Sequence, residues 1–414
     1  MLGLAAGTED THLDPGERDI LAVQLPPFSV HDMSGHYLAF FAFLGLRWML
    51  KRMILSEGLE GVTDAVVRPL ILNNSLGFLA GPKDGSGNFE REFSREVDAY
   101  EAATGGRVTA FFSYGNYYEE RQVAVAHLRA GETAPLDWEL EVDDPTASFI
   151  ELRAVADFAV SVQHVLSGDQ TPVMWPSPGT YEDIQLPYPG LAGRVYGGVS
   201  QRYNSGSDCA LVSQNDGIVI ALRPTTGDAA GKPGHWRINL HAAKQGAVVT
   251  CQIQSGGTPA SYLGYIEHGR QSRFIVPQGS PLVDVTTQGC FSALVPVTDA
   301  KHRSVGAAAF VGRNGLVRPA PYASEGGLFA ASSGPSGSSV VERASGKDGL
   351  WGLGTLSNTD QKIGGSSAAA AVATAAFARD IYLLCGRAAR YDDYPGGVRG
   401  TSQGDARLGA FTLQ

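Results

Sequence analysis

The chain has 414 residues, which is enough for two or three domains at the usual ~150 residues per domain. It is 43% hydrophobic and 18% charged, so it can bury a sizeable core, and wholesale disorder is excluded. The 32 basic and 42 acidic residues give a net charge of −10, which argues against a broad nucleic-acid-binding surface. The 52 glycines show no collagen-like period and therefore indicate many tight turns.

Cysteine usage and the apolar segments bear on the compartment. The four cysteines are far apart and form no C-x-x-C pair, so there is no zinc or redox motif. The most apolar run, residues 37–46, has about half of the ~20 residues that a membrane span requires. Residues 1–14 lack the basic region and apolar stretch of a signal peptide. We therefore expect no contact with a membrane, and a reduced cytoplasmic location is favoured but not decided.

The first 135 residues alternate between helix and strand patterns. Residues 37–55 have helical character, and residues 64–78 contain a short apolar run ending in Asn-Asn-Ser, typical of a buried parallel strand. Apolar residues spaced by three and four predict an amphipathic helix over 89–102. The run VTAFFS at 108–113 predicts a second buried strand. This order of elements indicates an α/β core with parallel strands.

Between residues 136 and 285 the apolar period changes to two. Trp236, Ile238 and Leu240, for example, alternate with polar residues, and turn clusters such as QSGGTP separate the runs. This pattern is typical of an antiparallel β-sandwich or jelly roll. From residue 286 small-residue strands return, followed by an Ala-rich helix over 368–384. We predict an α/β core formed by 1–135 and 286–414, interrupted by an all-β insertion over 136–285.

The candidate chemistry lies in the segment Lys362–Arg379, KIGGSSAAAAVATAAFAR. A Gly-Gly-Ser-Ser turn opens directly into a helix made almost entirely of alanine, whose small side chains allow tight packing against strands. A serine at the start of such a helix lies beside free backbone N–H groups and the positive end of the helix dipole. These groups would stabilise an oxyanion formed there. The alternative is an ordinary serine-capped helix.

This segment resembles the nucleophile motif of the subtilases, the subtilisin-like serine proteases, which reads Gly-Thr-Ser-x-Ala-x-Pro. The ungapped alignment makes Ser366 the nucleophile, places Ala370 where the family has proline, and keeps Val372-Ala373 in the family's register. A shift of one residue would make Ser367 the nucleophile instead. The match also departs from the family at Gly365, where the family has threonine.

Further segments resemble the family in the same chain order. Phe112–Asn116 is similar to a strand ending in Ala-Gly-Asn, and the resemblance gives Asn116 the role of oxyanion donor. The segment Asn73–Gly77 resembles the strand that lines the cleft, which implies that Ser75, Leu76 and Gly77 bind the substrate backbone.

The segment YASEGG at 322–327 resembles the family's Tyr-Ser-x-x-Gly stretch before the nucleophile. In all, the resemblance spans about residues 1–385. It implies a bacterial-type subtilase with a β-rich insertion and a subtilisin-like parallel sheet with flanking helices.

Two members of the family's catalytic triad are missing from the sequence. A triad needs an aspartate and a histidine as well as the serine, and neither Asp-Thr-Gly nor His-Gly-Thr occurs. Met1–Gly7 resembles the helix tail that follows the family's histidine. We expect either an incomplete chain that lacks an N-terminal fragment or a degenerate relative that lost its base. An exposed sheet edge would then leave the isolated chain poorly stable unless a partner fragment covered it.

Several histidines are candidates for a replacement base, and none occupies the family's position. His31 and His36 precede the first cleft strand, where a surface role is expected and a metal site is not. His235 and His241 lie in the predicted insertion, and His268 is expected to make a local hydrogen bond.

The sequence thus predicts a serine endopeptidase that cleaves peptide or protein substrates through an acyl-enzyme on Ser366, with Asn116 in the oxyanion hole. One alternative is a catalytically inactive pseudoprotease that binds peptides or regulates another protein. A second alternative is a serine hydrolase or esterase that uses a replacement histidine. No cofactor, metal ion or nucleic acid is expected.

Overall fold

The chain consists of a mixed α/β core and a large antiparallel β region. The computed structural model describes residues 4–5, 19–26, 29, 36–56, 58, 67–76, 88–187 except 155 and 178, 190–197, 217–227, 230–254, 271–275, 283–286, 302–311, 316–324, 335–354 except 347, 356, 359–385 and 412–413.

The helices are α1 (His36–Ser56), α2 (Asn88–Thr104) and α3 (Gly365–Cys385). The strands are β1 (Leu70–Asn74), β2 (Val108–Ser113), β3 (Val123–Leu128), β4 (Thr133–Leu140), β5 (Ser148–Arg153), β6 (Phe158–His164), β7 (Tyr181–Gln185), β8 (Leu191–Gly197), β9 (Ile218–Leu222), β10 (Gly234–Ala242), β11 (Ala247–Ile253), β12 (Arg273–Phe274), β13 (Val283–Thr286), β14 (His302–Val311), β15 (Val317–Pro319), β16 (Gly337–Glu342), β17 (Leu350–Leu353), β18 (Asp360–Ile363) and β19 (Thr412–Leu413).

The α/β core is built on a sheet whose strands run in the order β1-β2-β14-β16-β19, with each neighbouring pair parallel. Strand β15 joins β14 in the antiparallel direction. All six residues of β2 are buried, because apolar side chains alternate between two covered faces of the sheet. Phe111 packs on Phe377 of α3 with ring centroids 5.4 Å apart. Phe112 packs on Phe93 of α2, at 5.3 Å, so helices cover both faces of the sheet.

The β region between β2 and β14 forms two antiparallel sheets around one apolar core. One sheet has the order β12-β4-β10-β6, and the other has β13-β3-β11-β5-β9-β8-β7. Trp138 and Trp236, on paired strands of the first sheet, share a core with Ile150 and Ile220 of the second. This face-to-face burial is the arrangement that the period of two predicts.

The helices and strands predicted around the cleft are present, with small shifts in their bounds. Helix α3 begins at Gly365 rather than at residue 368, so Ser366 lies inside its first turn. The antiparallel strands begin at Val123, before the predicted boundary at 136, and the two predicted domain boundaries stay predictions. The mixed sheets and few helices fit the predicted α/β class, although most strands lie in antiparallel sheets. None of the described helices is long and apolar enough to cross a membrane.

Candidate active site

The candidate site lies where the carboxyl ends of the parallel strands meet the start of α3. Ser75 follows β1, Asn116 follows β2, and Glu342 is the last residue of β16. Ligands of open α/β sheets generally bind at this edge, because the loops that leave parallel strands converge there. The sheet therefore brings together residues that are hundreds of positions apart in the chain.

Gly365 sets the conformation with which α3 begins. Its φ of +85° lies in the left-handed region, which favours glycine because a Cβ is strained there. A Cβ at this position would also lie 3.1 Å from Nδ2 of Asn116. Both facts favour glycine at this position.

Ser366 and Asn116, the predicted nucleophile and oxyanion donor, are in contact. The backbone N–H of Ser366 donates to Oδ1 of Asn116 at 2.7 Å. The backbone N–H of Gly115 donates to Oγ of Ser366 at 3.1 Å. Ser366 is buried, with 1% of its surface exposed, whereas Asn116 is exposed. The N–H of Ser366 is therefore bonded to the Asn116 side chain rather than free.

This arrangement places the Ser366 N–H and the side chain of Asn116 next to the Ser366 hydroxyl group. An oxyanion hole needs its N–H groups to converge on the position that the oxyanion occupies. Here the Ser366 N–H and the Asn116 amide bond to each other. A developing oxyanion would have to displace Oδ1 of Asn116 and turn the Asn116 NH₂ group towards itself.

The predicted cleft segment is tied to the same helix by a reciprocal pair of serines. Ser75 Oγ donates to the carbonyl oxygen of Ser367 at 2.9 Å, and Ser367 Oγ donates to that of Ser75 at 3.4 Å. The Leu76 carbonyl oxygen accepts from Oγ of Ser113 at 3.2 Å. Gly77 lies outside the described residues. The two candidate nucleophiles thus have different neighbours. Ser366 contacts Asn116, and Ser367 contacts Ser75, which follows β1.

The described histidine side chains lie on strands of the β region, and none of these hydrogen-bonds to Ser366. His241 contacts Thr133 and Ser161, and burial lowers the pKa of His241. His235 lies 3.2 Å from Oδ1 of Asp137. The other candidates, His31 and His268 together with the side chain of His36, fall outside the described residues.

A buried tyrosine and a buried carboxylate contact each other next to the start of α3. The Tyr322 hydroxyl group accepts from the N–H of Gly365 at 3.0 Å and donates to Oε1 of Glu342. Oε2 of Glu342 accepts from the N–H groups of Asp348 and Gly349, each at 2.7 Å. Burial, and then the bond to Glu342, raise the pKa of Tyr322 well above its ordinary value, so the hydroxyl remains a donor.

These groups line a cavity of about 320 Å³ beside Ser366. Its walls are formed by Asn116, Tyr322, Glu342, Asp348, Lys362 and three glycines. Sequence reasoning found Tyr322 through the YASEGG segment but missed Glu342. The only local signal for Glu342 is a charged residue at the end of the apolar run SSVVE.

Comparisons with known proteins bear on the fold of the chain. No protein-family model matches it, and no curated protein matches it significantly. Among solved structures, the CspB protease of Clostridium perfringens matches over 91% of this chain and 69% of the CspB chain. The TM-score is 0.59 and the sequence identity is 14%. The chain therefore has a fold similar to that of a protease.

Proposed function

We propose that this chain carries the nucleophile of a subtilisin-like serine endopeptidase, with Ser366 as the attacking residue. One observation carries the proposal: the side chain of Asn116 contacts the N–H of Ser366 at the start of α3. This is the pair that the sequence motif singled out, and it occurs in a fold similar to that of a protease.

The chemistry would begin with attack of Ser366 Oγ on a peptide carbonyl carbon, while a base takes the hydroxyl proton. The carbonyl oxygen becomes an oxyanion, which the Ser366 N–H and the Asn116 amide N–H would stabilise. Collapse of this intermediate expels the amine as it gains a proton and leaves an acyl-enzyme, which water then hydrolyses. In the proposal, the base comes from a segment that carries the Asp and His motifs and lies outside this chain.

Ser366 is preferred to Ser367 because of its neighbours. Ser367 directs its hydroxyl group to the carbonyl oxygen of Ser75 and has no oxyanion donor of the Asn116 kind described beside it. The β1 end from Ser75 to Gly77 would bind the extended substrate backbone, as a strand edge binds a peptide. The peptide would then pass over the first turn of α3.

A fluorophosphonate probe, with mass-spectrometric mapping of the adduct, tests this assignment. We expect the probe to modify Ser366, Ser366→Ala to abolish labelling, and the neighbouring Ser367→Ala to serve as the matched control that keeps it. Labelling should be slow, because a serine without its base retains only the contributions of the oxyanion hole and binding. An adduct on Ser367 instead would identify Ser367 as the nucleophile and contradict the assignment of Ser366.

A second candidate is a non-catalytic peptide-binding protein. The observation that favours it is the burial of Ser366, whose oxygen accepts from Gly115 and whose N–H is bonded to Asn116. Labelled peptides that bind without turnover, together with no adduct on either serine, would select this function. Acyl transfer to Ser366 would exclude it.

A further inference from the structure

The cavity beside Ser366 shares two wall residues with the candidate active site. Asn116 contacts the N–H of Ser366, and Gly365 precedes Ser366 in the chain. Ser75, which contacts Ser367, does not line the cavity. A ligand in the cavity would therefore lie next to Ser366 and away from the proposed peptide-binding strand end.

Glu342 is the charged group at the base of this cavity. Only 2% of Glu342 is exposed, and its carboxylate accepts from one hydroxyl and two backbone N–H groups. Across the described ranges, no lysine or arginine forms an ion pair with it. Burial of a carboxylate is costly unless an opposite charge compensates it. The cavity thus contains a negative charge that hydrogen bonds hold in place and that no described cation neutralises.

The charged groups at the mouth of the cavity are paired, unlike the carboxylate at its base. Lys362 pairs with Asp348, and their side chains are 41% and 37% exposed. Lys362 and Arg343 both act on Asp348, so the cavity carboxylate without a described ion pair is that of Glu342. A ligand group that reaches the base would meet a negative field.

Glycine backbone packs closely against this carboxylate. A Cβ on Gly364 would clash with Oε1 of Glu342, so the wall there consists of backbone alone. The volume of about 320 Å³ lies at the low end of small-ligand pockets, roughly 300–1,000 Å³. A pocket of this size suits one long side chain rather than a folded segment.

We infer that this cavity is a specificity pocket for a lysine or arginine side chain of a bound peptide, and that Glu342 is the residue that recognises the cationic group. The inference rests on the proposed function, since the ligand is taken to be a peptide that passes over Ser366. The Glu342 carboxylate would accept from the ammonium or guanidinium group, while Asn116 and Tyr322 form the neighbouring walls.

Two binding measurements on the full chain test the pocket. The first uses fluorescent peptides that are identical except for lysine, arginine or norleucine at one scanned position. The wild type should bind the cationic peptides about tenfold more tightly, the effect of one charge-assisted hydrogen bond. Glu342→Gln should remove this preference without weakening the norleucine peptide. The second measurement uses calorimetry with benzamidine, a small cation that tests the pocket without a peptide.

Two further variants keep the test decisive if Glu342→Gln fails to fold. Lys362→Met removes the cation at the mouth and should strengthen binding of the lysine peptide. Gly364→Ala places a methyl group against Oε1 of Glu342, so the carboxylate must move, and benzamidine binding should be abolished. Equal affinity for lysine and norleucine peptides at every position would overturn the inference but leave the proposed function standing. Benzamidine binding that needs Glu342, with no peptide bound, would support the pocket and count against the peptide cleft.

Discussion

Replacement of Gly365 by alanine should show whether the contact between Asn116 and Ser366 contributes to stability. Gly365 has a φ of +85°, and an added Cβ would lie 3.1 Å from Nδ2 and 3.3 Å from Oδ1 of Asn116. Gly131, in the turn between β3 and β4, has a φ of +72° and nothing within 4 Å of an added Cβ. Gly131→Ala is therefore a matched control that has the backbone strain without the contact.

The magnitudes follow from these two environments. Left-handed backbone at a residue with a Cβ costs about 1–2 kcal/mol, and both variants should lose this amount. In Gly365→Ala the new methyl group should also push Asn116 away from the N–H of Ser366. Loss of a hydrogen bond of this kind costs about 0.5–1.5 kcal/mol. Gly365→Ala should therefore be destabilised by about 1 kcal/mol more than Gly131→Ala.

Denaturant unfolding of both variants, in the wild-type and Asn116→Ala backgrounds, measures this difference. In the Asn116→Ala background the extra loss should disappear, because the contact that the methyl group breaks is already gone. If the two glycine variants lose the same free energy in the wild type, the bond between Asn116 and Ser366 has no net value, and the reasoning is refuted. Slower fluorophosphonate labelling of Gly365→Ala, with Gly131→Ala unchanged, would link the same contact to the chemistry.

Two other predictions concern titratable groups, Tyr322 and His241. Tyr322→Phe should destabilise the chain by about 1.5–3 kcal/mol, because it removes the donor to the buried Glu342 carboxylate and the acceptor for the Gly365 N–H. Because the pKa of Tyr322 is raised in the folded chain, this contribution is complete below the ordinary value of about 10 and declines as the pH rises above it. Stability of the wild type should thus fall more steeply than that of Tyr322→Phe above that pH, and parallel profiles would contradict the assignment. Burial lowers the pKa of His241. The contribution of His241 to stability should therefore be complete above about pH 6.5 and decrease as the pH falls below that value. His241→Asn should flatten this acid limb in urea titrations, and an unchanged slope would exclude His241 as its source.

The elements around the site were predictable because their signals are local. The apolar run VTAFFS gives β2 its two buried faces, and spacing by three and four gives α2 its buried stripe. The bounds of β2 agree with the predicted range 108–113, whereas α3 begins earlier than predicted. The Ala-rich pattern marks the body of the helix, but the start is decided by the positive φ of Gly365 and its contact with Asn116.

The extent of the β region was harder to predict. Strands β3 and β4 begin at Val123 and Thr133, before the predicted boundary at 136. Their apolar runs look like any buried strand, and only pairing with β11 and β10 assigns them to the antiparallel sheets. Sheet membership depends on partners that are 94 to 129 residues away in the chain, and local sequence patterns do not identify them.

The sequence by itself determined the candidate nucleophile, the asparagine and the order of helices and strands, because a motif and a hydrophobic period are properties of neighbouring residues. Only the tertiary structure decided that the N–H of Ser366 is bonded to Asn116 and that Glu342 lies beneath the start of α3. Ser366 and Asn116 are 250 positions apart, and Glu342 and Tyr322 are 20 apart. These contacts form because the carboxyl ends of parallel strands lie at the same edge of the sheet. The glycines at the start of α3 allow backbone and side chains to approach closely there.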